Sequence, residues 1–310
     1  MAEPKAAAPA INTPGASRRK PNSSPWLLRP AIIYLIIVTQ IPFLMTLYYS
    51  TLNWNLLRPK RTTFVGLENY ITPFSNPDFL TILVNTFVLS ASVVVLTLVL
   101  GMGLAILLNR SFPGRNVVRT LLVTPFLIMP TVTAIQWKNM LLNPTFGLIS
   151  STLALFGIRG LDPLAQQAML SIILIVSWEW TPFMMLILLA GLQSLPREPI
   201  EAAQMDGAGP FDLFRYIVLP YMMRYIEIAV LLEVLFVLSI FGEIFVVTSG
   251  GPGIATTTLT YDIYKEAFLR WNIGRASALG VYAVIIANIV VTLFLRVLRR
   301  GSVQQGAGRS

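Results

Sequence analysis

Residues 201–220 read EAAQMDGAGPFDLFRYIVLP. The stretch is polar at its start, carries Glu201 and Asp206, and separates two apolar runs at about 168–192 and 221–247. Pro199 suits the first turn of a helix, and Glu201 sits near that helix's positive end. Ala202 and Ala203 leave little side chain, so another surface can approach closely. Gly207 suits the left-handed cap that ends a helix. Pro210 then opens a second helix, with Phe211, Phe214 and Ile217 at helical spacing, and Pro220 marks the entry to the next apolar run. Short helices are marginal alone in water, so this element is expected to pack on something. On the residues alone, an ordinary amphipathic loop is the rival reading.

The apolar runs continue on both sides. A membrane-spanning helix needs roughly 20 mostly apolar residues, and six segments qualify: about 27–50, 81–108, 120–142, 168–192, 221–247 and 275–298. Pro42 lies in the first, Gly101 and Gly103 in the second, Pro125 and Pro130 in the third. The two prolines remove backbone donors and predict a kink, which a membrane tolerates where protein or a cavity satisfies the freed carbonyls. A pathway-lining helix and a packing kink are both open. Residues 1–25 are rich in Pro, Ala, Ser and Asn and read as a disordered cytoplasmic tail. The run after Arg18-Arg19-Lys20 is too long for a signal-peptide core, so an uncleaved first helix is expected. The spanning domain is read as 26–300, with a cytoplasmic loop at 193–220 and a flexible cytoplasmic tail at 301–310. Connections 51–80, 143–167 and 248–274 lie on the other side.

Composition agrees with a membrane protein. Of 310 residues, 55% are hydrophobic and 12% charged, with a mean hydropathy of +0.69; soluble domains average about 25% charged. There is no Cys and no His. That excludes disulfides, thiol nucleophiles, Fe–S ligation and a Ser-His-Asp site, and it leaves a zinc site without its usual ligands. No GxxxxGK[ST] occurs, so no P-loop can cradle phosphates. The net charge of +9 is explained by where the bases fall. With six spans, the two termini, the 110–119 turn and the Glu201 loop share one side, with fifteen of the 23 Lys and Arg; the other side has seven, and Lys138 lies within the third span. The bias places that richer side in the cytoplasm and removes the case for nucleic acid.

Ionisable groups within a span cost about 2.5–3.5 kcal/mol on insertion scales, so they face protein or water. Glu179 and Glu233 lie near the middles of the fourth and fifth runs. Trp178, Trp180 and Phe183 flank Glu179, and Phe236 follows Glu233 by three residues, on the same helix face. Carboxylates accept hydrogen bonds from sugar hydroxyls and aromatic faces stack on sugar rings, so Glu179, Trp180, Phe183, Glu233 and Phe236 form a candidate polyol-binding lining. Thr131, Thr133 and Gln136 are secondary candidates. Lys138 and Glu243 fall at similar depth, which predicts either an ion pair or a snorkelling lysine. Glu227 reads as an interhelix contact.

The spacing Glu201-Ala202-Ala203, Gly207, Ile217, Leu219-Pro220 resembles the EAA signature of permease subunits in bacterial ATP-binding-cassette importers. FVGLENY (64–70), GRNVVRTLLVTPFLIMP (114–130), WEWTPF (178–183), FGEIFVVTSGGPG (241–253) and YDIYKEAFLRWNIGRASALG (261–280) resemble other stretches of the same family. The likeness is to carbohydrate importers of the maltose and glycerol-3-phosphate type, most of all the sorbitol/mannitol branch, and runs from about residue 26. It implies an all-α membrane protein with the type I importer permease fold, six transmembrane helices and both termini cytoplasmic. It also implies that Glu201, Ala202, Ala203, Asp206, Gly207 and Ala208 dock on a nucleotide-binding subunit. ATP and Mg would be bound by that partner ATPase dimer, with no cofactor, metal or catalytic residue here. A sister permease, a periplasmic substrate-binding protein, a carbohydrate and membrane lipid are the further partners implied. Where Glu233 stands, maltose-type permeases use small amide and hydroxyl residues. An ion-coupled secondary transporter using the intramembrane carboxylates is the alternative, and it has no need of the Glu201 loop.

Overall fold

A computed structural model describes residues 29–157, 160 and 162–307; the expected tail at 1–25 and the end of the one at 301–310 lie outside them. Helix α1 (Arg29–Ser50) contains Pro42, and its residues to Met45 belong to a unit of their own. Within the second unit, strands β1 (Leu52–Asn53) and β2 (Thr63–Phe64) pair antiparallel, Leu52 opposite Phe64. Helix α2 (Glu68–Ile71) follows, then the long α3 (Pro77–Asn109). The start of α3 obeys local rules: Asn76 accepts from the Asp78 amide, Pro77 occupies the first turn, and Asp78 sits at the positive end.

The third expected span is broken. Helices α4 (Arg115–Leu127) and α5 (Pro130–Gln136), the latter extended by a π-helical turn Trp137–Leu141, meet at a 98° bend. Pro125 and Pro130 flank the break, as the missing donors predict. Short helices α6 (Leu148–Leu155) and α7 (Pro163–Gln166) lead to α8 (Ala168–Gln193). Then come α9 (Glu198–Met205), α10 (Pro210–Leu213), the π-helical turn Phe214–Val218, and α11 (Leu219–Val237). The fifth expected span does not run through: α11 stops at Val237 and a separate α12 (Gly242–Val247) follows. Helix α13 (Leu259–Tyr264), another π-helical turn at Lys265–Leu269 and α14 (Ile273–Ala307) complete the chain. Residues 301–307, expected in a flexible tail, continue this last helix.

Among the described residues, four helices are long and apolar enough to cross a membrane, and a fifth crossing results if the bent pair counts as one. Helix α11 has 19 residues but carries Arg224, Glu227 and Glu233, so its charge, not its length, sets it apart.

Helix α8 is the most deeply buried of these candidate spans. Its first half packs with Leu89 and Val93 of α3 and Val237 of α11 through Ile172, Ile175 and Val176. Its second half packs Met184, Met185, Leu188 and Leu189 against Ala105 and Leu108 of α3 and Met222 and Ala229 of α11. So α3 runs parallel to α8 and α11 antiparallel. Between apolar helices in lipid, close packing replaces the hydrophobic driving force, and small residues permit it. Gly101 does so here: a Cβ there would come within 2.9 Å of Met184 Cγ.

Where α3 and α14 begin, the connections form a bonded platform. Asn69 Nδ2 donates to the carbonyls of Ser50 and Leu52, Tyr282 Oη donates to the Tyr70 carbonyl, and Asn85 Nδ2 donates to those of Ile254 and Thr257. Thr256, Thr257 and Thr258 are buried, their loop closed by the Thr248–Thr256 hydroxyl pair at 2.7 Å. The buried Glu266 carboxylate accepts from Arg270 and faces Arg275 Nε at 3.5 Å. The FVGLENY, SGGPG and RWNIG stretches therefore serve this end of the bundle as internal ties.

Candidate functional site

The loop that opens the sequence reading folds as its residues dictate. Pro199 lies in the first turn of α9, with Glu198 and Glu201 there as well. At the other end the Ala208 amide donates to the Ala203 carbonyl at 2.9 Å and the Gly207 amide to Gln204 at 3.0 Å. Gly207 has φ of +86°, the left-handed conformation of a glycine cap. Pro210 opens α10. None of the residues of α9, α10 or the Phe214–Val218 turn is buried. Met205 is 89% exposed and Phe211 69%. Glu201, Ala202, Asp206 and Gly207 are exposed, while Ala203 and Ala208 are partly covered. An eight-residue helix with no core of its own is a poor stabiliser of its fold; its small, bare surface is suited to being covered by another chain.

The intramembrane candidates divide into two environments. Trp180 and Phe183 of α8 meet Phe236 of α11 in one aromatic cluster. The Trp180 and Phe236 rings stack at 5.2 Å, and Phe183 lies edge-on to both, at 5.6 and 6.2 Å. Phe126, which the sequence reading missed, joins from α4 at 5.6 Å from Trp180 and from Phe183. It follows Pro125 just before the break, where helical periodicity gives no guide. Phe236 is 51% exposed, so the cluster has an open side. Trp178 turns elsewhere, edge-on to Trp137 at 5.7 Å.

The carboxylates point away from that open side. Glu233 has no exposure, and its Oε1 accepts from Thr97 Oγ1 of α3 at 2.7 Å. The three-residue spacing therefore puts Phe236 and Glu233 on the same half of α11 but in different surroundings. Glu179 is buried and neighbours Glu243 of α12, not Glu233. Of the two readings of Lys138, the ion pair with Glu243 is not formed; Lys138 Nζ donates to the Val246 carbonyl at 2.8 Å. The break after Val237 explains the change: α12 starts afresh, its rotation no longer set by the periodicity of α11. Thr133 is buried, its hydroxyl without a partner among the described residues. An open cavity of about 390 Å³ is lined by Ser111, Phe112, Gly114, Arg115, Asn116 and Val117, and shares no residue with either group. Among the described residues no three acidic side chains gather as a metal-holding group.

The fold and this loop define a helical membrane protein with several candidate spans and a pair of short, unburied helices between α8 and α11. Residues 97–303 match the family described as "Binding-protein-dependent transport system inner membrane component", and the chain belongs to it. It is 36% identical to the "Probable ABC transporter permease protein y4oQ" of Sinorhizobium fredii, over 90% of this chain and 91% of that one. It is 30% identical to the trehalose/maltose transport system permease protein MalF of Thermococcus litoralis, over 88% and 93%. A chain in the crystal structure of a bacterial alginate ABC transporter in complex with an alginate pentasaccharide-bound periplasmic protein shares the fold, with a TM-score of 0.76 at 22% identity, covering 89% of this chain and 93% of that one. The protein is thus a multi-pass inner-membrane permease subunit of a binding-protein-dependent ABC importer, and ion-coupled secondary transport is set aside.

Proposed function

We propose that this permease carries a sugar or sugar alcohol, that it pairs with a sister permease, and that its α9–α10 loop receives motion from a dimeric ATPase which alone binds ATP and Mg. The observation that carries the proposal is α9 itself. The segment with the EAA spacing folds into a capped helix, none of whose residues is buried by the rest of the chain. Its lining of alanines allows a partner's surface to come against the backbone. In this reading the spanning elements number six, counting α11 with α12 as one and the bent α4–α5 pair as another. Both termini and the loop face the cytoplasm, because the bases gather there. A periplasmic binding protein delivers substrate to the platform end, and ATP binding to the partner biases inward- and outward-open forms.

The carbohydrate reading rests on the trehalose/maltose relative and on the aromatic cluster. Trp180, Phe183 and Phe236 offer stacked rings with one open side, which suits the apolar face of a sugar ring. For Glu233 the bond to Thr97 supports a tie between α11 and α3, and for Glu179 the neighbouring Glu243 supports a tie between α8 and α12.

Replacing Glu201 or Gly207 and following both uptake and co-purification of the ATPase tests the proposal. Loss of uptake with substrate still bound by the complex supports it. Unchanged uptake with no associated ATPase sinks it.

A further inference from the structure

The projecting loop is closed at its base by a set of side chains that no motif singled out. Helix α8 ends at Gln193 with Ser194 as its cap. The last carbonyls of a helix have no partner within it, and here a neighbour supplies some of the missing donors. Tyr221 Oη donates to the Ser194 carbonyl at 2.9 Å. Ser194 Oγ donates to the Gly191 carbonyl at 2.8 Å and pairs with Tyr225 Oη at 2.7 Å. Tyr221 and Tyr225 are four residues apart, on one face of α11. The packing beneath is close. A Cβ on Gly191 would lie 2.6 Å from Tyr225 Cγ and 2.9 Å from Met222 Cε, so the Tyr225 ring rests on the bare backbone of the last turn of α8.

The chain thus leaves the bundle at Ser194 and re-enters it at Tyr221, with the two points stapled together. Between them, neither short helix has a buried residue. With so little of α9 covered, its two ends are its main attachments to the spanning helices. With a free base, α9 could tilt about its flanking turns and spend the motion there, and α8 and α11 could follow to different extents. With the base stapled, the two ends move together.

We propose that Ser194, Tyr221 and Tyr225, seated on Gly191, form a positioning staple that makes α8 and α11 respond as one body to the partner docked on α9. The staple touches neither nucleotide nor cargo. It sets how much of the partner's motion arrives at the helices that carry Trp180 and Phe236. The inference rests on the reading that an ATPase docks on α9.

The test uses the assembled transporter in proteoliposomes with its binding protein and a transported sugar, measuring ATP hydrolysed and substrate imported in the same sample. The variants are Tyr221→Phe with Tyr225→Phe, which keeps the rings and removes the hydroxyls, and Gly191→Ala, which wedges the Tyr225 ring away. Ser194→Thr keeps the hydroxyl and serves as the conservative control. The staple predicts that both disrupting variants assemble and still hydrolyse ATP, while substrate moved per ATP falls about fivefold or more, the scale of a typical coupling between sites. Ser194→Thr stays near the wild-type ratio. Uptake and hydrolysis falling in proportion, or an unchanged ratio, overturns the staple. Failure of both variants to assemble also overturns it, because the contacts would then be needed for folding and not for transmission. A wild-type complex that shows no ATP-linked uptake contradicts the importer reading itself, and so is told apart from failure of the staple.

Discussion

The two ends of the bundle solve the problem of polar backbone in opposite ways. At the platform end the connections bond to one another: Asn69 to Ser50 and Leu52, Asn85 to Ile254 and Thr257, Tyr282 to Tyr70, and Glu266 between two arginines. Three consecutive threonines are buried there. At the other end the 195–220 connection is tied at its base by Ser194, Tyr221 and Tyr225, and neither of its short helices has a buried residue. Both ends contain stretches with a family resemblance. The difference teaches that one set of motifs holds this chain's own fold, whereas the other forms short helices that this chain leaves without a buried residue. Substitutions should therefore separate: at the platform they lower stability, and in the loop they lower transport at nearly constant stability.

The largest effect is expected at Glu266. Glu266→Ala removes a buried carboxylate that bonds one guanidinium and faces another, both of which reach solvent, and loss of such charged hydrogen bonding costs about 1.5–3 kcal/mol. Thermal unfolding of the purified permease should show it as a clear fall in Tm. A Tm within a degree or so of wild type would break the comparison at its strongest point. Next comes Asn85→Leu, which strips two backbone carbonyls of their donor and should cost about 1–3 kcal/mol by the same measurement. Gly207→Ala is smaller, about 1 kcal/mol for a Cβ in the left-handed region. Its uptake should nonetheless fall much further than that of Asn85→Leu, because the cap positions α9. Smallest in stability is Ala202→Leu, expected within about 0.5 kcal/mol because its site is exposed, yet expected to abolish ATPase co-purification by filling the space a partner needs. A variant with full co-purification would show that this face of α9 is not covered.

What the sequence made legible follows from which residues act locally. Proline and glycine act on their own backbone. Pro199, Gly207 and Pro210 thus reveal two short helices with their cap, and Pro125 and Pro130 reveal the 98° bend. Apolar length reveals α3, α8 and α14. Partnerships across helices depend on rotation and depth, which hydropathy does not encode. Glu179 faces Glu243 because α12 begins anew after Val237, and Lys138 reaches a carbonyl, which neither the ion-pair nor the snorkelling reading named. Phe126 enters the aromatic cluster through a kinked helix whose periodicity is interrupted. The staple had a faint signal, two tyrosines four residues apart just after Pro220, but its partner Ser194 is 27 residues from the first of them.

The central claim is that α9 is where this subunit is driven by another chain. The sequence has no cysteine, so a single Met205→Cys is chemically unique, and that position is 89% exposed. A short cross-linker with one thiol-reactive end and one photoreactive end, applied to membranes containing the whole transporter, should join this permease to the ATPase subunit at Met205→Cys. It should not do so at Phe64→Cys, on the platform. An adduct with the ATPase at Phe64→Cys and none at Met205→Cys would contradict the account.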